Sequence, residues 1–378
     1  MLYEVKGQSG TMARVMKITK LICCVTLLFG IIGTLWLGLG VKTLNDRRPG
    51  AILRLTSDKR EHLSLSHKGA EANSKDEKGH SKNIGILIQH SWTPFSAKHD
   101  YKYLLNNRLK CADKGGKLYE KLSVIAIVTS DPRNVDRRNV IRMTWIRHAI
   151  ENKIAIKVMF IVGVTSDGSI RNKIKHEAFL YKDIIQEAFQ DTYLNLTVKT
   201  IGALKWATQL CPRAKFFMKL DDDVVVNIGN LTGFLDVFVP SVNYLGGIVQ
   251  VGSIPFRNPQ DKWYTPEELY PEATYPPYPE GKIYIMSMDV AKRIYHHTKT
   301  LQIFPWEDVF IGICAKQLSI VPQNIVNFHG VWTVRSEGIG IIKTDETLAN
   351  LNFLYVFYDL TIGEMIEIWQ AWMSNSWD

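Results

Sequence analysis

The stretch "AKFFMKLDDDVVVN", residues 214–227, holds three consecutive aspartates between two apolar runs. Both flanks are typical of buried β-strand, and three adjacent carboxylates repel one another. A solvated acidic turn fits poorly, because three valines follow at once. An EF-hand loop is excluded, because its glycine and glutamate spacing is absent. We therefore expect a chemical reason for holding Asp221, Asp222 and Asp223 at the end of a strand.

Alternate carboxylates of an extended chain point to the same side, so Asp221 and Asp223 can act together. Two carboxylate oxygens combined with phosphate oxygens suit Mg²⁺ or Mn²⁺. Such a D-x-D arrangement binds a nucleotide diphosphate through the metal. The metal offsets the repulsion between the carboxylates and neutralises the leaving diphosphate. The pattern thus predicts a metal site at Asp221 and Asp223, with Asp222 between them at the nucleotide.

The surrounding sequence alternates between strands and helices. Apolar runs predict strands over 121–130, 156–164, 183–186 and 214–220, and amphipathic stretches predict helices over 137–146, 169–181 and 191–210. This order predicts an α/β fold with an open, mostly parallel sheet flanked by helices. Ligands bind beyond the carboxyl ends of strands in such sheets, which is where the aspartates fall.

Three arginines, Arg137, Arg138 and Arg142, lie near the start of the helix that follows the first predicted strand. Guanidinium groups and helix N-termini both favour phosphate, so we predict that these side chains contact the nucleotide. The alternative is a basic edge that faces solvent.

Two later segments carry further candidate residues. "PWEDVFIGICAKQLSI" (305–320) has a helical period with Glu307 and Asp308 in its first turn. Acids there either stabilise the helix dipole or supply a general base that faces a sugar hydroxyl. "KWYTPEELYPEATYPPYPEGKIYIMS" (262–287) is rich in aromatic residues and proline, which is typical either of an acceptor-binding loop or of a loop that covers the sheet.

The N-terminal part of the 378-residue chain predicts a membrane anchor. Residues 21–41 are uncharged and apolar, long enough to span a bilayer, and Arg14, Lys17 and Lys20 precede them. We therefore expect a cytosolic tail over 1–20, a transmembrane signal anchor over 21–41, a stem and transition over 42–116, and a lumenal catalytic domain over 117–378.

The net charge of +9 indicates either an acidic partner or a solvated basic surface. No zinc-finger spacing, RNA-binding aromatic signature or basic-region helix supports nucleic acid. Cys111, Cys211 and Cys314 lack metal-ligand spacing, and any one pair could form a disulfide in an oxidising lumen. Two sequons make Asn195 and Asn230 candidates for N-glycosylation.

Four stretches together resemble the β-1,3-galactosyltransferase and β-1,3-N-acetylglucosaminyltransferase family of Golgi enzymes. They are "DRRNVIRMTW" (136–145), the long run from "DIIQEAF" to "KLDDDVVVN" (183–227), "KWYTPEELYPEATYPPYPEG" (262–281) and "WEDVFIGICAKQLSIVP" (306–322). They occur in the family's order and spacing, over roughly residues 120–325. The resemblance implies a GT-A fold, a UDP-sugar donor, Mn²⁺ and a single-pass type II protein of the Golgi membrane.

The resemblance also implies roles for individual residues. Asp221 and Asp223 match the ends of the family's D-x-D metal motif, and Asp308 matches its general base in a reaction that inverts the anomeric carbon. The residues expected to hold the acceptor glycan are Trp263, Tyr264, Tyr275, Tyr278 and Glu307. By general family frequency, galactose is the expected donor sugar, with N-acetylglucosamine and N-acetylgalactosamine as alternatives. A homo-oligomer is possible.

The chain departs from the family pattern at a few positions. Ile146 replaces a usual glycine, Ile283 replaces a small residue, and no cysteine follows to pair with Cys314. Tyr358 stands where the family often has a histidine that completes the metal site, for which His329 or Asp359 could substitute. These departures motivate the alternative hypothesis of a non-catalytic relative that binds sugars or assists a partner transferase.

Overall fold

The apolar run after Lys121 forms a central strand of an eight-stranded sheet in the computed structural model, which describes residues 100–113, 115–330 and 355–374. All of these residues belong to one unit, Leu87–Asp378. The predicted tail, anchor and most of the stem lie outside the described residues. Within the part of the chain that the structure describes, no helix is long and apolar enough to span a bilayer.

The elements follow one another in the expected alternation. The strands are β1 (Tyr103–Leu105), β2 (Leu122–Thr129), β3 (Ile156–Val164), β4 (Ile184–Gln190), β5 (Ala214–Asp221), β6 (Val225–Val226), β7 (Leu245–Gln250), β8 (Tyr278–Ser287), β9 (Gln323–Asn324), β10 (Phe328–Gly330) and β11 (Val356–Tyr358). The helices are α1 (Val135–Ile141), α2 (Arg147–Glu151), α3 (Gly168–Tyr181), α4 (Leu196–Leu210), α5 (Ile228–Phe238), α6 (Met288–Thr298), α7 (Glu307–Gln317) and α8 (Ile362–Ser374).

The main sheet is mixed and mostly parallel, in the order β1-β4-β3-β2-β5-β8-β7-β9. Strands β4, β3, β2 and β5 are parallel neighbours, whereas β8 runs antiparallel to both β5 and β7. Every residue of β2 is buried, as expected for a parallel strand with helices on both faces. The predicted sheet class is confirmed, and the carboxyl ends of β2 and β5 meet where Thr129 pairs with Asp221.

Two apolar clusters cover the two faces of this sheet. Alternate residues of β2 divide between them, with Ile125 and Ile127 in one cluster and Val124, Ala126 and Val128 in the other. Helices α4, α6 and α7 contribute to the first cluster, and α1, α3, α5 and α8 to the second. The sheet is therefore the middle layer of three.

A small second sheet lies beside the aspartates. Its order is β10-β11-β6, and β11 runs antiparallel to β6, with Phe357 paired to Val225. The amide of Leu360 donates to the backbone oxygen of Asp223 at 3.2 Å. The valine run after the aspartates thereby brings the segment that contains Tyr358 and Asp359 to the end of β5.

Two predicted helices differ from the observed ones at their ends. The helix predicted over 137–146 ends as α1 at Ile141, and a π-helical turn, Arg142–Ile146, connects it to α2. The helix predicted over 191–210 begins with a 3₁₀ turn, Tyr193–Asn195, before α4. In both cases the spacing of apolar residues continues through a local change of helical pitch. That spacing alone therefore does not reveal the change.

The structure also answers the open question of the disulfide. Cys111 is bonded to Cys211, which follows α4, whereas Cys314 is a buried free thiol within α7.

Candidate active site

Asp221 is the last residue of β5 and is held by two hydrogen bonds. Its Oδ1 accepts from Thr129 Oγ1 at 2.6 Å and from Lys219 Nζ at 2.7 Å. About a third of the side chain, 31%, stays exposed. The carboxylate is therefore fixed in orientation while one side of it remains open.

Asp222 turns the other way and is buried. Its Oδ2 accepts from Ser130 Oγ at 2.7 Å and from Asn134 Nδ2 at 2.9 Å. These contacts join the end of β5 to the loop that follows β2. This geometry gives Asp222 a role in holding that loop, and its predicted contact with nucleotide stays a prediction.

Asp223 carries a buried carboxylate oxygen, Oδ1, with no hydrogen-bond partner among the described residues. Burial and the neighbouring charge of Asp221 raise the pKa of Asp223 to about 6. A buried polar atom is normally paired, so an unpaired carboxylate oxygen beside a second carboxylate suits a divalent cation. The donor chemistry thus fits the predicted metal site at Asp221 and Asp223.

The rest of a coordination shell is less well defined. Among residues 100–113, 115–330 and 355–374, no group of three or more histidine, cysteine, aspartate or glutamate residues is placed to hold a metal ion. Tyr358 donates its hydroxyl to Glu280 Oε2 at 3.4 Å, and the carboxylate of Asp359 pairs with Lys282. His329 is paired in backbone register with Phe357. The third ligand stays a prediction.

Lys219 is a buried lysine that the sequence reading missed. Its ammonium group contacts Asp221, the backbone oxygen of Gly281 and, at 3.5 Å, Oε2 of Glu307. Burial alone would lower the pKa of Lys219, but the charges of Asp221 and Glu307 raise it above its ordinary value. The two-residue period of a strand could have indicated this contact, since residues 219 and 221 of β5 share a face.

The two acids at the start of α7 have different surroundings. Glu307 is buried and accepts a hydrogen bond from Tyr284 Oη at 2.6 Å through Oε1. Asp308 accepts from the amide of Val309 at 2.8 Å through Oδ1, and from the amide of Gly281 at 3.4 Å through Oδ2. Burial raises the pKa of both carboxyl groups. Of the two, Asp308 is less buried and is not paired with the Lys219 ammonium group, so it suits a proton acceptor better.

A cavity of about 500 Å³ brings six of the predicted side chains together, three carboxylates and three aromatic rings. Asp221, Glu307 and Asp308 lie along its wall. The other lining residues are Tyr193, Leu196, Lys219, Gln250, Phe256, Lys262, Trp263, Tyr275, Tyr278, Glu280, Gly281, Lys282, Pro305, Trp306 and Val309. A carboxylate suited to a metal and a carboxylate suited to a base therefore open onto one space.

The aromatic residues predicted to hold the acceptor divide in the structure. Trp263, Tyr275 and Tyr278 line the cavity, whereas Tyr264 is half-buried outside it. The indole N–H of Trp263 donates to the hydroxyl of Tyr193 at 3.0 Å. Tyr193 was missed because it lies in the 3₁₀ turn, outside the aromatic-rich segment.

Arg138 and Arg142 face carboxylates within the fold and do not line the cavity. Arg138 is fully buried and pairs with Glu177 at 2.7 Å. Arg142 pairs with Glu177 at 2.7 Å and with Asp183 at 2.9 Å. Local motifs do not reveal these partners, because Glu177 lies in α3 and Asp183 directly before β4, about 40 residues away in the chain. The geometry favours a structural role, and contact with a nucleotide stays a prediction.

Arg137 also lies outside the cavity lining and donates to the backbone oxygen of Leu360 at 2.9 Å. This contact joins α1 to the segment before α8. Its predicted contact with nucleotide stays a prediction as well.

The two sequons differ in their surroundings. Asn230 is exposed on α5. Asn195 donates from Nδ2 to the backbone oxygen of Gln190 at 2.8 Å, and Thr197 of the same sequon is buried. Glycosylation at both stays a prediction, and Asn230 offers the more open position.

Comparison with known proteins places the sequence within one family. A family model described as Galactosyltransferase matches residues 136–326, just over half of the chain. The chain is 38% identical over 239 residues to lactosylceramide 1,3-N-acetyl-beta-D-glucosaminyltransferase B of Xenopus laevis, covering 61% of this chain and 62% of that protein. It is 34% identical to UDP-GlcNAc:betaGal beta-1,3-N-acetylglucosaminyltransferase 7 of Mus musculus, covering 73% and 68%. It is 33% identical to beta-1,3-galactosyltransferase 2 of Pongo abelii, covering 63% and 56%.

The chain therefore spans less than two thirds of the length of two of these three relatives.

Proposed function

Because the chain belongs to the galactosyltransferase family, we propose that it is an inverting β-1,3-glycosyltransferase that moves a sugar from a UDP-sugar to an acceptor glycan. The observation that carries the proposal is that Asp221 and Asp308 open onto the same aromatic-lined cavity. One carboxylate is suited to the cation that binds a diphosphate, and the other to a base. An inverting transfer that uses a metal needs both at one place.

Asp308 is proposed as the general base. It takes the proton from the 3-hydroxyl of the acceptor sugar, and that oxygen attacks C1 of the donor while the bond from C1 to the UDP oxygen breaks. The amides of Val309 and Gly281 hold its carboxylate in orientation and leave lone pairs for the proton. Inversion follows because the nucleophile enters opposite the leaving UDP in a single displacement, without a covalent enzyme intermediate.

Asp221 and Asp223 are proposed to hold Mn²⁺ or Mg²⁺. When bound, such an ion would neutralise the charge that develops on the departing UDP. The unpaired Oδ1 of Asp223 and the half-open carboxylate of Asp221 support this assignment. Lys219 and Thr129 keep the Asp221 carboxylate in place.

The acceptor is proposed to bind against the aromatic wall of the cavity. Trp263 and Tyr278 are partly exposed there, and apolar ring faces pack well against the C–H faces of sugar rings. The names of the relatives divide between N-acetylglucosamine and galactose transfer. We propose one of these two sugars as the donor, galactose being the expectation from the sequence, and a glycoprotein or glycolipid as the acceptor.

A Golgi membrane location is proposed with the catalytic domain in the lumen. Residues 21–41 supply an apolar segment of membrane-spanning length. The Cys111–Cys211 disulfide supports an oxidising compartment.

A donor and acceptor panel tests this function directly. The purified full-length chain is incubated with UDP-galactose, UDP-N-acetylglucosamine and UDP-N-acetylgalactosamine, with galactoside and N-acetylglucosaminide acceptors and with Mn²⁺, and products are identified by mass spectrometry. Transfer to a 3-hydroxyl by wild type and by the surface control Glu367→Gln, but not by Asp308→Asn, is expected.

Absence of both transfer and UDP-sugar hydrolysis across the panel would refute the proposal that the chain is a glycosyltransferase. Tight UDP binding without any turnover would instead favour the non-catalytic relative.

A further inference from the structure

Lys282, on β8, lies beside the aspartate run and lines the same cavity as Asp221 and Asp308. Its side chain is 34% exposed, and its ammonium group pairs with the carboxylate of Asp359. None of the sequence motifs assigns Lys282 a role, and neither the base nor the metal assignment uses it.

The fold fixes Lys282 at this place from two directions. The pairing of β5 with β8 sets Leu220 opposite Ile283, so Lys282 is the next residue along β8 toward the end of β5, where Asp221 lies. Asp359 follows β11, and the amide of Leu360 donates to the backbone oxygen of Asp223 at 3.2 Å. One ammonium group therefore lies in the neighbourhood of Asp221, Asp223 and Asp359.

The charges of these groups influence one another. Burial lowers the pKa of Lys282, but the hydrogen bond to Asp359 and the charges of Asp223 and Asp221 raise it above its ordinary value. Lys282 thus stays charged beside the two carboxylates assigned to the metal.

A salt bridge to Asp359 uses only part of what this ammonium group can do. A lysine ammonium has three N–H donors, and the side chain of Asp359 is itself 53% exposed. Partly exposed ion pairs contribute little to stability, so the Lys282–Asp359 pair alone gives no strong reason for a lysine in the cavity wall. The remaining donors of an ammonium group in this cavity wall suit a phosphate group.

We propose that Lys282 binds the diphosphate of the donor nucleotide as a positive charge built into the chain, beside the divalent cation held by Asp221 and Asp223. The inference rests on the proposed function, since it takes the cavity to be the UDP-sugar site. It makes UDP binding partly independent of metal.

Titration of the full-length chain with UDP, followed by calorimetry, tests the proposal in EDTA and in Mn²⁺. Wild type is expected to bind UDP in EDTA, and Lys282→Met to raise the Kd in EDTA by about tenfold or more, as expected for loss of a charge-assisted contact. Mn²⁺ should restore much of that loss. Lys282→Arg should keep the binding in EDTA.

Lys316→Met is the matched control, because Lys316 also pairs with a carboxylate, Glu272, but lies outside this cavity. Its Kd for UDP should equal that of wild type in both buffers. Asp359→Asn keeps the ammonium group and removes only its partner, so binding in EDTA should persist or tighten.

The proposal is overturned if wild type binds UDP only with Mn²⁺ and Lys282→Met leaves that Kd unchanged; the proposed function would stand in that case. It is also overturned if the Asp359→Asn variant loses UDP binding in EDTA while its thermal midpoint shows that it is folded. Absence of UDP binding in both buffers would overturn the proposed function together with it.

Discussion

The ammonium group of Lys219, on β5, lies 3.5 Å from Oε2 of Glu307, the first residue of α7. Both side chains are buried, and the same ammonium group holds Asp221 at 2.7 Å. One lysine therefore joins the strand that ends in the aspartate run to the helix that carries Asp308. We expect this contact to help fix the distance between the proposed metal carboxylate and the proposed base.

Lys219→Met is expected to destabilise the protein by roughly 3–5 kcal/mol, because it leaves the buried carboxylate of Glu307 and the partly buried one of Asp221 without their counter-ion. The free energy of unfolding from urea titration measures the loss. Lys215→Met is the control on the same strand, since Lys215 forms an exposed pair with Asp236, and its cost should be below about 1 kcal/mol. Equal costs for the two variants would contradict the assigned role of Lys219.

Asp308→Asn is expected to lower kcat by about 10²–10⁴-fold, because the amide cannot accept the acceptor proton. The Kd for UDP should stay at the wild-type value, since Asp308 faces the acceptor in the proposed reaction. Rates of sugar transfer and UDP titration measure the two effects. Unchanged transfer in this variant would remove the base assignment.

The pH dependence of transfer checks the same residue. Burial raises the pKa of Asp308 above its ordinary value. A base must be deprotonated, so kcat/KM of wild type should fall as the pH decreases through that raised pKa, and be constant above it. A rate that stays level down to the ordinary range of an aspartate would contradict a buried base.

Arg138→Met is expected to destabilise the fold and leave the Kd for UDP unchanged in the protein that remains folded. Arg138 is fully buried against Glu177, so its removal deprives a buried carboxylate of an ion-pair partner. The expected loss in the free energy of unfolding is roughly 3–5 kcal/mol. Arg147→Met, which removes an exposed i,i+4 pair with Glu151, is the control. A large loss of UDP affinity at unchanged thermal midpoint would restore the sequence prediction of a phosphate contact.

The sequence predicted those features that depend on neighbouring residues in the chain. The order of strands and helices, the aspartates at the end of β5 and the two acids in the first turn of α7 follow from local periods and motifs. Long-range pairing was out of reach. Glu177 and Asp183 meet the arginines, and Lys282 meets Asp359, only because sheet order brings distant segments together. The polarity of Lys219 gave no indication that it is buried between two carboxylates.

Glu187 gives the fold a stability that is expected to decrease as pH rises. Its side chain, on β4, is buried against α4, and burial raises its pKa from 4.5 to about 7 despite contact with Lys205. The folded state therefore binds a proton that the unfolded state has lost between pH 4.5 and 7. Stability from this group is fully present below pH 4.5 and is lost as the pH rises through about 7.

Glu187→Gln should reduce this dependence, so that the difference in unfolding free energy between pH 5 and 8 shrinks by roughly 1–3 kcal/mol. Urea unfolding at both pH values measures it. Glu151→Gln, at an exposed carboxylate, should leave the difference as in wild type. The same pH dependence in Glu187→Gln and wild type would show that Glu187 titrates normally.

Cys111→Ser is expected to lower stability by roughly 2–5 kcal/mol, because the disulfide to Cys211 closes a long loop. The two cysteines are 100 residues apart, so the bond restricts a large part of the unfolded chain. Thermal unfolding under non-reducing conditions measures the effect. Cys314→Ala provides the contrast, since Cys314 is buried but unpaired and its removal costs only a small loss of packing. Added reductant should lower the thermal midpoint of wild type and of Cys314→Ala but not that of Cys111→Ser; a shift in all three would show that the stabilising bond is a different one.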